Sequence, residues 1–176
     1  MKIPQIPLHA PYSDRQRAWL SGFFAGMHTH IIQSAGSTNT ADVRLVHILY
    51  GSQTGNAESV ANDAASLAKN HGLKPIVKSM AEIDVDAFAG MDYLLLITST
   101  YGEGEMPDNA QLLWQTACSI GLPNLEHVHY SVLALGDTGY DLFCQAGKDW
   151  DEKLALHGAI RLYERCLLYT SPSPRD

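Results

Sequence analysis

Residues 45–57 read LVHILYGSQTGNA. The apolar run Leu45-Val46-His47-Ile48-Leu49-Tyr50 predicts a buried strand, which breaks at Gly51 into a loop of small hydroxyl and amide residues: Ser52, Gln53, Thr54, Gly55 and Asn56. Beyond it Val60, Ala64, Leu67 and Ala68 recur at helical spacing. Strand, polar loop and helix N-terminus in succession make an anion site, because loop amides and the first helical N–H groups converge where the macrodipole adds about half a positive charge. Such a site takes a phosphate without a lysine. The triphosphate loop G-x-x-x-x-G-K-[ST] and the dinucleotide fingerprint G-x-G-x-x-G are both absent. The plainer alternative is an ordinary strand-to-helix turn.

Working outward, the same alternation continues. Residues 73–79 predict a second strand, placed at a sheet edge by Pro75, which has no N–H to give a ladder. Residues 91–98 (MDYLLLIT) predict a third strand, apolar on both faces as a parallel sheet requires. Residues 128–135 predict a fourth, and a fifth begins at 159–163. Helices are expected over 109–120, with Leu112, Leu113 and Ala117 on the buried face, and over 146–157. The helix after the first strand should end at Asn70-His71-Gly72 by glycine C-capping. Strands alternating with helices predict an α/β doubly wound parallel sheet, whose ligands sit beyond the carboxyl ends of the strands.

That rule singles out three loops: residues 52–57, residues 98–109 (TSTYGEGEMPDN) and residues 135–144 (LGDTGYDLFC). The second and third each carry one tyrosine, Tyr101 and Tyr140, among glycines that let backbone approach a flat ligand. A tyrosine from each loop can sandwich a planar ring, each stack contributing roughly 0.5–1.5 kcal/mol beyond burial.

Upstream, residues 15–27 predict an amphipathic helix with Trp19, Leu20, Phe23, Phe24 and Met27 on one stripe and Ser13-Asp14 as its cap. Two readings stand open: a helix capping the domain's own core, or an assembly helix for a homo-oligomer. Residues 1–33 therefore form an N-terminal extension, joined by a polar linker at 34–43 to a domain at 44–165. The net charge of −7 argues against nucleic acid, and no apolar run is long enough to span a membrane. Three cysteines without metal spacing point to a reducing cytoplasm, and eight histidines without metal spacing give no metal site.

The motifs S-Q-T-G-N-A, S-T-Y-G-E-G-E-M-P-D-N-A and L-G-D-T-G-Y-D-L-F-C-Q-A-G-K-D-W-D resemble those of the FMN domain of the diflavin reductase family. F-C-Q-A-G-K-D-W-D and A-W-L-S-G-F-F-A-G are most similar to its NADPH-dependent sulfite reductase flavoprotein branch. The resemblance implies a flavodoxin-like sheet of five strands in the order 2-1-3-4-5. It also implies that Ser52, Gln53, Thr54, Gly55, Asn56 and Ala57 hold the FMN phosphate. Ser99, Thr100, Tyr101 and Gly102 would border the ring system, with Leu135, Gly136, Asp137, Thr138, Gly139, Tyr140, Asp141, Leu142, Phe143 and Cys144. No side chain is assigned a catalytic role, since the redox chemistry belongs to the cofactor. The implied partners are an FAD- and NADPH-binding module in the same polypeptide and a basic-faced metalloenzyme acceptor. Asp137, Asp141, Glu103, Glu105 and Asp108 would offer that acceptor an acidic rim. A free-standing flavodoxin-like carrier is the alternative, and Cys144 is read as a packing residue.

The C-terminal stretch departs from the family. Residues 166–176, CLLYTSPSPRD, resemble a translated sequencing adapter and are expected to be a non-native tail on a truncated reading frame. The family's last helix would then be missing, one apolar face of the sheet would lie open, and the chain would fold poorly.

Overall fold

The computed structural model describes residues 14–34, 44–136 and 141–169. Its centre is β1 (Leu45–Gly51), pairing in parallel with β2 (Lys74–Ser79) on one side and β3 (Tyr93–Ser99) on the other. Next to β3 runs β4 (His129–Gly136), and both β5 (Ile160–Arg161) and β6 (Cys166–Tyr169) pair with β4. The order is β2-β1-β3-β4-β5, the predicted doubly wound arrangement, with Pro75 on the edge strand. The fifth position is filled in two pieces. Tyr130 pairs with Arg161 and Leu133 with Cys166, so residues 162–165 loop out between them. Cys166–Tyr169, expected to stand outside the fold, is instead a strand: an apolar run beside the open edge of β4 completes backbone pairs that would otherwise face water. Residues 170–176 lie outside the described part.

Among the described residues four α-helices cover the two faces: α1 (Asp14–Ser34), α2 (Asn56–Asn70), α3 (Asp108–Ser119) and α4 (Gln145–Leu156). Leu73 donates its N–H to the Ala68 carbonyl and Gly72 to Lys69, so α2 ends in a Schellman turn with Gly72 at φ 75°. The same pair of bonds ends α4 at Gly158. Alternation along the strands divides the core. Leu95, Ile97, Leu133 and Leu135 face α1 and α2, whereas Leu94, Leu96, Tyr130 and Val132 face α3 and α4. Leu112, expected on the buried side of α3, is 74% exposed. At about 100° per residue it lies opposite the stripe of Ala110, Leu113 and Ala117 that meets the sheet.

The apolar face expected to lie open is covered. Leu20, Phe23, Phe24 and Met27 of α1 are fully buried in the layer that holds Val46, Ile48, Leu133 and Cys166. Trp19 seals its outer side, donating from Nε1 to the Glu164 carbonyl at 3.1 Å and meeting Tyr163 edge-on. The helix runs seven residues past its predicted end, since 28–34 contain neither proline nor glycine. Within this chain the stripe meets the core, as the core-capping reading expects.

On the other face, Asp151 ties α4 to the fifth strand position. Its carboxylate, 1% exposed, receives Arg161 in a forked pair and Arg165, each at 2.8 Å, and the Tyr130 hydroxyl at 3.0 Å. Burial, with the Asp151 charge beside it, pushes the Tyr130 hydroxyl far above its ordinary range, so it stays a donor.

His47 sits in β1 with Nδ1 buried and without a hydrogen-bond partner among the described residues. Burial lowers its pKa, helped by Lys78 and opposed by Asp92. Folding therefore favours the neutral ring, and unfolding takes up a proton below the ordinary value of 6.5. Its contribution is full above that value and is lost as pH falls. Between about pH 7 and pH 5, His47→Gln is expected to lose less stability than the parent chain in urea titrations. Parallel losses in the two proteins would assign the slope to other groups.

Candidate functional site

The three loops singled out by the sheet rule do meet. They enclose a cleft of about 310 Å³ at the carboxyl ends of β1, β3 and β4. Gln53, Thr54 and Asn56 line it from the first loop, Ser99, Thr100, Tyr101 and Gly102 from the second. Leu135, Gly136, Leu142, Phe143 and Cys144 line it from the third. Asp137, Thr138, Gly139 and Tyr140 lie outside the described residues. Asp141 is exposed and is not part of the cleft wall.

In the first loop the backbone amides turn toward one point. Gly55 takes the left-handed conformation at φ 86°, turning the chain so that α2 starts at Asn56. The N–H groups of Gly55 and Ala57 both donate to Ser52 Oγ, at 3.0 and 3.2 Å. A single oxygen thus sits where two amides and the N-terminal end of α2 converge, and an anionic oxygen fits the same donors better. Ser52, Gly55 and Ala57 contribute a hydroxyl and two amides to this point and do not line the wall.

Gln53, predicted as a phosphate ligand, has its amide engaged elsewhere. Its Nε2 donates to Asp108 Oδ2 at 2.8 Å, and its Oε1 accepts the Asp108 N–H at 2.9 Å. Beside it Asn109 accepts the Ser52 N–H at 2.7 Å. These two residues at the start of α3 staple the loop from below. No role for either in the loop was legible beforehand; the signal was only an Asp-Asn pair after Pro107, which reads equally as a helix start.

The second loop is a tight hairpin in which Tyr101 and Glu105 exchange backbone hydrogen bonds, with Gly102 and Gly104 at φ 51° and 107°. It presents the Tyr101 ring to the cleft half-exposed, at 50%. Thr100 Oγ1 accepts the Ala146 N–H at 3.3 Å, fixing this loop to α4. In the third loop Cys144 is fully buried and donates from Sγ to the Ala134 carbonyl at 3.4 Å, as a packing residue should. A Cβ on Gly136 would fall 2.8 Å from the Cys144 nitrogen, so only glycine lets the wall close here. Glu103, Glu105, Asp108 and Asp141 are all exposed.

This geometry can be set beside known proteins. The flavodoxin family matches residues 48–176. The chain belongs to the flavodoxin family. A flavodoxin of Streptococcus pneumoniae superposes with a TM-score of 0.65 at 32% identity, over 74% of this chain and 88% of that one. A cysteine mutant of the Pseudomonas aeruginosa flavodoxin gives 0.64 at 29%, over 74% and 87%. Among curated proteins, the chain is 43% identical over 159 residues to the sulfite reductase [NADPH] flavoprotein alpha-component of Shewanella oneidensis. It is 35% identical over 162 residues to that of Bacillus subtilis. These matches take in 88% and 87% of this chain, which spans only about a quarter of each relative, 26% and 27%.

The cofactor of the flavodoxin domain is FMN, and the residues present fit it. Convergent amides at the first loop suit a phosphate dianion, and a half-bare aromatic ring with glycine-lined backbone suits a planar tricycle. No helix of the described residues is long and apolar enough to cross a membrane.

Proposed function

We propose that this flavodoxin domain is the FMN relay of an NADPH-dependent diflavin reductase of the sulfite reductase flavoprotein type. Its electron donor would be an FAD- and NADPH-binding module of the same polypeptide, and its acceptor a basic-faced metalloenzyme of the sulfite reductase haemoprotein type. The observation that carries this reading is the reach of the match. A similarity covering 88% of the chain takes in part of α1, ahead of residue 48 where the flavodoxin match begins. A free-standing carrier would need no such helix in common. No disulfide joins Cys118, Cys144 and Cys166, which suits a reducing cytoplasm.

Bound FMN supplies the electron-transfer chemistry. The chain's own residues bind, orient and shield it. Ser52 and the amides of residues 54–57 hold the phosphate, with Thr54 and Asn56 on the cleft wall. Tyr101 covers one face of the ring, and Tyr140 is assigned the other. Ser99, Thr100 and Gly102, with Leu135, Gly136, Leu142, Phe143 and Cys144, enclose its edges, Thr138 and Gly139 completing the third loop. Asp137, Asp141, Glu103, Glu105 and Asp108 give the opening a negative rim that favours a basic acceptor.

Quenching of FMN fluorescence tests the reading directly. The 176-residue chain should bind FMN with a micromolar or tighter Kd. Tyr101→Ala should weaken it by about three- to tenfold, the loss expected for one aromatic stack. A chain that melts cooperatively yet binds no FMN would overturn the relay and leave a partner-binding flavodoxin fold.

A further inference from the structure

Asn109 stands outside the cleft, yet it touches the loop that frames it from three sides. Its Oδ1 accepts the Ser52 N–H at 2.7 Å. Its Nδ2 donates to the Tyr50 carbonyl at 3.4 Å and to Ser79 Oγ at 3.0 Å. The orientation of this amide is unambiguous, because Ser52 offers only a donor and Tyr50 only an acceptor. One half-buried side chain at the start of α3 thus joins the end of β1, the first residue of the loop and the end of β2.

Ser52 is the residue whose Oγ occupies the point where the Gly55 and Ala57 amides converge. Its backbone position fixes where that point lies. The Gln53–Asp108 pair restrains the next residue, but Gln53 reaches Asp108 through a flexible side chain on the exposed side. Asn109 acts on the backbone of Ser52 itself.

We propose that Asn109 is a positioning residue for phosphate recognition: by clamping Ser52 to β1 and β2 it presets the amide cradle, and so gives the domain its preference for the phosphorylated flavin. This rests on the reading that the first loop holds the FMN phosphate. Removing the side chain takes away the acceptor of the Ser52 N–H, which then competes for other acceptors around the loop, and one donor to the Tyr50 carbonyl. The flavin ring contacts, made by Tyr101 and the third loop, do not pass through Asn109.

The test compares two ligands on the full chain, FMN and riboflavin, which differ only by the phosphate. Asn109→Ala is set against the parent chain and against Gln111→Ala, an exposed change on the same helix. The ratio of riboflavin to FMN dissociation constants should fall about tenfold in Asn109→Ala and stay unchanged in Gln111→Ala. A merely structural role would weaken both flavins together and leave the ratio intact, which overturns the proposal. A parent chain that binds both flavins equally well would instead overturn the placement of the phosphate in this loop. Should Asn109→Ala lose its cooperative melt, Ser79→Ala carries the test, since it removes one of the three Asn109 bonds, together with a cap on the Ala81 N–H away from the loop, and lines no part of the cleft. Its ratio should fall about threefold, and an unchanged ratio refutes the clamp.

Discussion

Phe24→Ala is expected to cost about 3–4 kcal/mol, a large share of the stability of a domain this size, and to do so independently of protein concentration. Phe24 is fully buried, with its ring edge-on to Phe23 at 5.1 Å and stacked on His71 at 6.0 Å, where α2 ends. Truncation removes a whole ring from a layer that closes one face of the sheet, and the helix and sheet around it are too well fixed to collapse into the void. Urea unfolding at two protein concentrations separates the alternatives for α1. A helix that served assembly would give a small loss, under about 1 kcal/mol, and a midpoint that moved with concentration. The same measurement on the parent chain tests whether it folds cooperatively at all, as a covered sheet face requires.

The elements that could be read in advance were those with a local signature. The first strand, its polar loop and α2 follow from periodicity and a glycine stop, and Pro75 placed β2 at the edge. What was not legible depended on distant parts of the chain. The stripe on α1 was plain, but whether it met this sheet or another subunit depended on Trp19 finding the Glu164 carbonyl, 145 residues away. Leu112 reads as buried because it is apolar. Only the position of the sheet relative to Ala110, Leu113 and Ala117 turns it outward. Cys166–Tyr169 resembles a foreign tail in sequence, and its pairing with β4 follows from an open strand edge, which is not visible locally.

The site divides along the same line. Small residues after each strand identified the three loops, because backbone approach and amide donors require small residues wherever they occur. The partners of those loops were invisible. Gln53 reads as a ligand until Asp108 is placed opposite both ends of its amide, and Asn109 reads as a helix start until Ser52, Tyr50 and Ser79 are brought around it. Tyr140, on which half of the expected sandwich rests, lies outside the described residues.

Gly147→Ala sets two general rules against each other, and the distances decide between them. Inside a helix the exchange ordinarily stabilises by about 1 kcal/mol, through lost chain entropy. Here a Cβ would stand 2.2 Å from the Ala134 Cβ and 3.1 Å from the Ala134 Cα. Neither neighbour can rotate away, since Ala134 is fully buried in β4 and its side chain has no torsion to adjust. The first turn of α4 must therefore lift off the sheet, and overpacking of this kind costs about 1–3 kcal/mol or more. A net destabilisation of about 2–3 kcal/mol is expected in urea unfolding. The displacement also reaches the cleft, because Ala146 is bonded to Thr100 and Cys144 closes against Gly136. FMN affinity should fall by about tenfold alongside stability. A more stable Gly147→Ala chain with unchanged FMN binding would mean that α4 has slack against β4, and that the cleft does not depend on the close approach of that helix.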